Sequence, residues 1–346
     1  MRPYLFAREL VALGQDIRIV APNVCPGIPT IVVPHHHVDP SLTETGSKKS
    51  WRTFARLWML PDPDIRWALN AARSVVDYTP DWIITTSPPE SSHVAGWLLK
   101  RRFRCRWLVD FRDHWFEATL RLDRSERGLW TRIEKFLAKK LLRRADSIVA
   151  TTQSIAHEVG ELLEAGRETV IEHAADPVTE AINLEPGLVH IVHTGSFKLS
   201  DPQRELRPIL EGFIASNDNR LRLHLVGRLQ SEEISLVASL PGSNRIQVHG
   251  PVDYETARAF QAAADILLLV TAPDTPHIPG KLAEYRTTGK PVLAIGGGAW
   301  QKAAGIPAFS DPKFAFENLQ NLSPATVRLT PDSAAEQLLT LLNSVA

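Results

Sequence analysis

PHIPGKLAEYRTTGKPV, residues Pro276 to Val292, is the stretch on which the reading of this chain turns. A Pro/Gly loop runs into a short helix carrying Lys281 and Glu284, Gly289 stops that helix, and a strand opens at Pro291. Backbone N–H groups in the first turn of a helix have no partner inside it, so the loop at Gly280 predicts a seat for an anionic diphosphate. Glu284, about one turn further on, offers a carboxylate that accepts from ribose hydroxyls.

Around this stretch the second half of the chain alternates strand and helix. Strands are expected at Val189–His193, Arg222–Val226, Ile246–His249, Asp265–Val270 and Pro291–Ile295, with helices at Glu205–Ala215, Ser231–Ser239 and Tyr254–Ala263 between them. The first half shows the same rhythm: strands at Trp82–Thr86, Trp107–Phe111 and Asp146–Thr151, a short extended piece at Thr169–Glu172, and helices at Ile65–Val76, His93–Arg101, Leu129–Arg144 and Gln153–Ala165. Such alternation predicts parallel doubly wound sheets, hence an α/β chain of two tandem Rossmann-like domains. The expected divisions are an acceptor-side domain over 1–172, a linker over 173–187 and a nucleotide-binding domain over 188–346. At the start, a helix (Tyr4–Leu13), Gly14 and a strand (Asp16–Ala21) are the later part of a βαβ unit, so the first domain is expected to lack its first strand and the glycine-rich turn after it. Residues 22–64 read as loop.

Composition narrows the function. Net charge is zero over 346 residues, which speaks against bulk electrostatic binding of nucleic acid. The charge is uneven, however: residues 100–144 hold 15 Lys/Arg against 6 Asp/Glu, which places a basic face in the first half. Cys25 and Cys105 have no metal-ligand or disulfide-framework spacing and point to a reducing cytoplasm. No run approaches the roughly 18 apolar residues of a membrane span, so any membrane contact is expected to be peripheral. The run His35-His36-His37 reads as a solvated loop, and Asp62-Pro-Asp64 lies between prolines before a helix rather than at a strand end, so no metal site is assigned. There is no G-x-G-x-x-G after a strand, no P-loop and no G-x-S-x-G elbow, which leaves nucleotide recognition without those signatures.

Five pieces in order carry a resemblance: "PDWIITTSPPESSHVAGWLLKRR" with "WLVDFRDHW" in the first half, then "HTGSF", "LHLVGRL", "VHGPVDY" and "PGKLAEYRTTGKPVLA". Together they resemble the retaining family-4 glycosyltransferases of GT-B fold, in particular the branch acting in bacterial surface polysaccharide synthesis, over nearly the whole chain. The resemblance implies transfer from a nucleoside-diphosphate sugar to a saccharide or polyprenyl-linked acceptor, with no cofactor and no metal. It implies donor binding by Gly195, Ser196, Lys198, Arg204, Arg228, Gly250, Val252, His277, Gly280, Lys281 and Glu284. Members usually place an arginine directly after the glycine that is Gly195 here; Ser196 stands there, so Lys198 or Arg204 would supply the charge. The Glu-x7-Glu pair is incomplete, since Pro276 occupies its first position.

In the first half the expected catalytic residues are Asp113, to orient or deprotonate the acceptor hydroxyl, and Arg112, to pair with phosphate, with Lys281 stabilising the leaving diphosphate. Asp110, Ser87 and Ser92 are the acceptor-side candidates. The helix 129–144, with Lys135, Lys139, Lys140, Arg143 and Arg144 opposite Trp130, Ile133, Phe136, Leu137 and Leu141, is expected to lie on an anionic membrane at its inner face. Two rival readings stand beside this one: a truncated or non-catalytic nucleotide-sugar-binding protein, and a nucleotide-sugar epimerase of the same architecture.

Overall fold

A computed structural model of the protein describes residues 2–35, 61–115, 132, 135–163, 166–275 and 278–345. The chain divides into two compact units, one of residues 1–172 together with 331–346, the other of residues 173–330.

In the first unit, strands β1 (Ile19–Ala21) and β2 (Thr30–Val32) form a parallel pair, while β3 (Trp82–Ser87), β4 (Arg106–Phe111), β5 (Ser147–Ala150) and β6 (Glu168–Val170) form a parallel sheet in that order. These are the strands on either side of the place that an opening strand takes in a doubly wound sheet, and β1 does not bond to β3. One apolar layer nevertheless serves both pieces. Val20, Ile31 and Ile83 pack on Ala68, Ala72 and Val75 of the Ile65–Ser74 region and on Ala95 and Leu99 of helix Ser91–Phe103. Strand β5 is buried on both faces, as a central parallel strand must be. Helix Ser91–Phe103 lies so close to β4 that a Cβ on Gly96 would come within 2.4 Å of Trp107 Nε1.

Two features of this unit depart from the expectation. Thr30–Val32 is a strand inside the segment read as loop, where β-branched residues follow Pro29. Helix Pro331–Ser344, expected to close the second domain, belongs to the first unit and packs on helix Arg2–Ala12 through a face containing Ala334, Ala335, Leu338 and Leu342.

The second unit is a six-stranded parallel sheet of β7 (Val189–Thr194), β8 (Leu221–Val226), β9 (Ile246–Gly250), β10 (Ile266–Val270), β11 (Val292–Ile295) and β12 (Ala308–Phe309), in the order β12-β11-β10-β7-β8-β9. The order reverses between β7 and β10, which creates a crevice at their carboxyl ends where ligands of such sheets bind. Ile191, Leu223, Leu225, Leu268, Leu293 and Phe213 are among the core on one face, and Val192, Leu267, Leu269, Leu282, Tyr285 and Trp300 on the other.

Candidate functional site

The loop after β7 and the helix after β10 meet at the reversal point. Gly195, at the end of β7, has φ +118°, and a Cβ there would lie 1.8 Å from Lys281 Nζ. The lysine amine therefore sits on the glycine, and no side chain fits beneath it. Gly227, ending β8 at φ +144°, approaches as closely: its Cβ would lie 2.3 Å from the Gly195 carbonyl oxygen. Backbone bonds Gly195 N–H to Val226 O (2.7 Å) and Gly227 N–H to Gly250 O (2.8 Å) hold the three strand ends side by side.

Two cations, Lys281 and Arg204, stand in one field here, with Glu284 acting on Lys281 and Asp201 in a long ion pair with Arg204. Lys281 has no hydrogen bond from Nζ among the described residues, and Arg204 Nε is buried without a partner, its nearest carboxylate oxygen, on Asp201, being 3.9 Å away. Burial lowers the Lys281 pKa from its ordinary value; Glu284 opposes that fall and Arg204 adds to it. His193 stands in the same field, with burial first and Lys281 and Arg204 after it holding its pKa at about 3. Its Nδ1 faces Leu268 O at 3.0 Å and Nε2 is unpartnered. Neutral at ordinary pH, the ring donates from Nδ1 and keeps its Nε2 lone pair free. Two cations so placed are ready for a polyanion.

Helix Lys281–Arg286 is fixed by Tyr285, whose buried hydroxyl accepts from Thr194 N–H at 3.2 Å and donates to Leu268 O at 3.3 Å. Burial pushes that phenol up to about 12, so it remains a neutral strut between β7 and β10. Glu284 is half-buried, and its Oε2 accepts from Gln261 Nε2 at 3.2 Å. The first-turn expectation needs correction: the N–H groups of Leu282 and Ala283 are already bonded to the carbonyls of Pro279 and Gly280, so they are not offered to a diphosphate. A short helix closing on its own loop satisfies its donors internally.

The other expected donor residues are more scattered. Ser196 bonds Ser200 through its hydroxyl at 2.5 Å, Lys198 and Arg228 point into solvent, and Val252 is exposed beyond Gly250. Gly280 precedes the helix, close enough to His173 for a Cβ to touch its ring at 3.6 Å. His277 lies outside the described residues.

In the first unit Asp110 is committed internally. Its carboxylate accepts from Arg2 Nε and Nη2 at 3.0–3.1 Å and from Thr86 Oγ1 at 3.0 Å, and Arg2 also donates to Ile171 O and Glu172 O. Both partners are buried, so this is an internal ion pair, and Asp110 keeps little capacity for an acceptor. Arg112 donates to the carbonyls of Ser87 and Pro88, bracing that loop instead of pairing with a carboxylate. Ser87 is buried, and Ser92 bonds the Thr86 carbonyl. Asp113, next along, is half-buried and makes no hydrogen bond to another described residue. Asp62 accepts from Ser91 N–H and Asp64 N–H, and Asp64 pairs with His35 at 2.7 Å; the Asp-x-Asp motif caps a helix and holds a loop. His36 and His37 are outside the described residues, and among those described no cluster of three metal-ligating side chains occurs.

Helix residues 135–142 bury Ala138 and Leu142 but leave Phe136 66 % and Leu137 42 % exposed, beside Lys140 and Arg144. Apolar and cationic groups thus share one side here, where the sequence pattern had them opposite; Trp130 and Ile133 are not described. Next to them an apolar pocket of about 270 Å³ opens between Ile65, Val94, Trp97 and Leu141. No described helix is long and apolar enough to cross a membrane.

Two tandem Rossmann-like units, the second with a nucleotide-type crevice at its reversal point, define the GT-B architecture. Residues 3–172, within the first unit, match the family described as glycosyl transferase 4-like domain. Solved structures agree on the fold. Anabaena Alr3699/HepE in complex with UDP and glucose matches with TM-score 0.58 and 15% identity over 99% of this chain and 94% of that one. WaaG, a glycosyltransferase involved in lipopolysaccharide biosynthesis, matches with TM-score 0.52 and 14% identity over 99% and 88%. UDP-GlcNAc 2-epimerase from Methanocaldococcus jannaschii matches with TM-score 0.57 and 12% identity over 99% and 96%. No curated protein matches in sequence.

Proposed function

We propose that this protein is a retaining, metal-independent glycosyltransferase that moves a sugar from a nucleoside-diphosphate sugar to a saccharide or polyprenyl-linked saccharide in cell-surface polysaccharide synthesis. The observation that carries the reading is the placement of Lys281 and Arg204, with no hydrogen bond from Nζ of the one or Nε of the other among the described residues, at the glycine-lined ends of β7 and β8. Such a pair meets the charge that grows on a departing diphosphate, the role a divalent cation fills in other transferases. The glycosidic C–O bond to the diphosphate breaks, the acceptor oxygen bonds the same face of the sugar, and the acceptor proton passes to the leaving diphosphate. Asp113 is the first-unit carboxylate proposed to orient that hydroxyl. Retention and the polysaccharide role rest on the family resemblance, and UDP is the first donor nucleotide to try because HepE binds it.

Phe136 and Leu137 beside Lys140 and Arg144 support peripheral seating on an anionic membrane at its cytoplasmic face, near a lipid-linked acceptor. Calorimetric titration with UDP, GDP and ADP tests the donor site. One nucleotide should bind saturably, and Glu284→Ala should weaken it by roughly 1–3 kcal/mol. A folded protein that binds none of them sinks the transferase reading in favour of a non-catalytic one.

A further inference from the structure

Gln261, on helix Tyr254–Ala263, is 1 % exposed, and every polar atom of its side chain is used. Burying an amide costs free energy that a leucine of similar volume would not, so its hydrogen bonds need a reason. Arg258, one turn earlier and also buried, determines which way the amide points. Its guanidinium can only donate. It gives to Glu284 O (2.9 Å), Asp176 O (2.8 Å), Thr287 Oγ1 (2.6 Å) and Gln261 Oε1. The amide oxygen must therefore face Arg258, and the NH2 group must face the other way. There it donates to Thr194 Oγ1 at 2.9 Å and to Glu284 Oε2 at 3.2 Å.

We propose that Gln261, oriented by Arg258, is the positioning residue of the nucleotide site: it holds the Glu284 carboxylate in the rotamer that receives the ribose diol. This rests on the reading of Glu284 as the ribose acceptor. A neutral amide suits the task better than a cation. An arginine would engage both carboxylate oxygens and neutralise them, whereas one amide N–H anchors Oε2 and leaves Oε1 charged and open to two neighbouring hydroxyls. Thr194 is also bonded to Tyr285, through its N–H at 3.2 Å and its hydroxyl at 3.3 Å, so the loop that follows it has an anchor other than Gln261.

The test compares UDP with 2′,3′-dideoxy-UDP on the full chain by calorimetry, in the wild type, Gln261→Ala and the near-isosteric Gln261→Glu, which puts an acceptor where the NH2 was. The wild type should favour UDP by roughly 10-fold or more, the value of hydrogen bonds to a charged group. Both variants should bind dideoxy-UDP as the wild type does and lose most of that preference. A packing role alone would lower both affinities together and leave the ratio unchanged, and that result overturns the proposal, as does a ratio unchanged with both affinities intact. Failure of the folded wild type to bind UDP, GDP and ADP alike overturns the donor-site reading and this inference with it; if GDP or ADP binds in place of UDP, the same comparison with its own 2′,3′-dideoxy form decides. A wild type that binds both ligands equally removes the ribose role of Glu284 while leaving the diphosphate site standing.

Discussion

Replacing Gly195 by alanine tests the shortest approach that a new Cβ would make at any described glycine. The new methyl carbon would lie 1.8 Å from Lys281 Nζ, so the amine must retreat by about 2 Å to reach an ordinary carbon–nitrogen separation. That retreat takes the cation off the strand end where the diphosphate is proposed to sit. Loss of one charge-assisted contact is worth about 1.5–3 kcal/mol, so UDP affinity should fall roughly 10- to 150-fold. Alanine at φ +118° also strains the backbone by about 1–3 kcal/mol, which lowers the melting temperature and must be separated from the binding effect. Gly187→Ala is the control: that residue also has positive φ (+81°), but its Cβ would meet nothing within 4 Å. The control should melt lower and bind UDP unchanged. Calorimetry and thermal melts on both variants give the answer, and equal UDP affinity in Gly195→Ala and wild type would refute the placement of Lys281 as a phosphate ligand.

Two further predictions concern stability. Arg2→Ala leaves Asp110 buried without its guanidinium and should cost about 3–5 kcal/mol in urea unfolding; a change within error would mean that the pair is not maintained in solution. Acidification should also destabilise the fold. His93 and His193 are held at about 3 by burial against an ordinary value of 6.5, so the unfolded chain binds protons first as pH falls. Their contribution is full above 6.5 and is lost progressively toward 3, about 2 kcal/mol for each already by pH 5. Urea titrations at pH 7.5, 6 and 5 check this, and a flat result would show that neither ring is kept neutral by the fold.

The strand–helix alternation was legible because a period of two residues, a period of 3.6 and glycine stops are local signals. They located nearly every principal strand to within about a residue or two. Two short strands were missed, β2 of three residues and β12 of two, although β1 and β6, of three residues each, were found; β2 follows a run of prolines and glycine that reads as loop. The C-terminal helix shows the same difference. Its apolar stripe says that it must pack, not on which unit, and contact with helix Arg2–Ala12 decides that. Asp62 has the look of a metal ligand in the sequence and proves to cap a helix, because only the fold brings Ser91 N–H to it.

Sequence alone determined the α/β class, the doubly wound sheets and the candidacy of Gly195, Lys281 and Glu284, since strand-end glycines and a short Lys/Glu helix before a strand are local patterns with a physical meaning. Tertiary structure alone decided that Lys281 lies on Gly195, that Arg204 Nε is buried without a hydrogen-bond partner and that His193 is neutral beside them. It also decided that Gln261 reaches Glu284 and that Asp110 belongs to Arg2. Residues 86 and 108 positions apart meet in those contacts only when parallel strands bring their ends together. Burial then keeps His193 neutral, and no local pattern encodes burial of that kind.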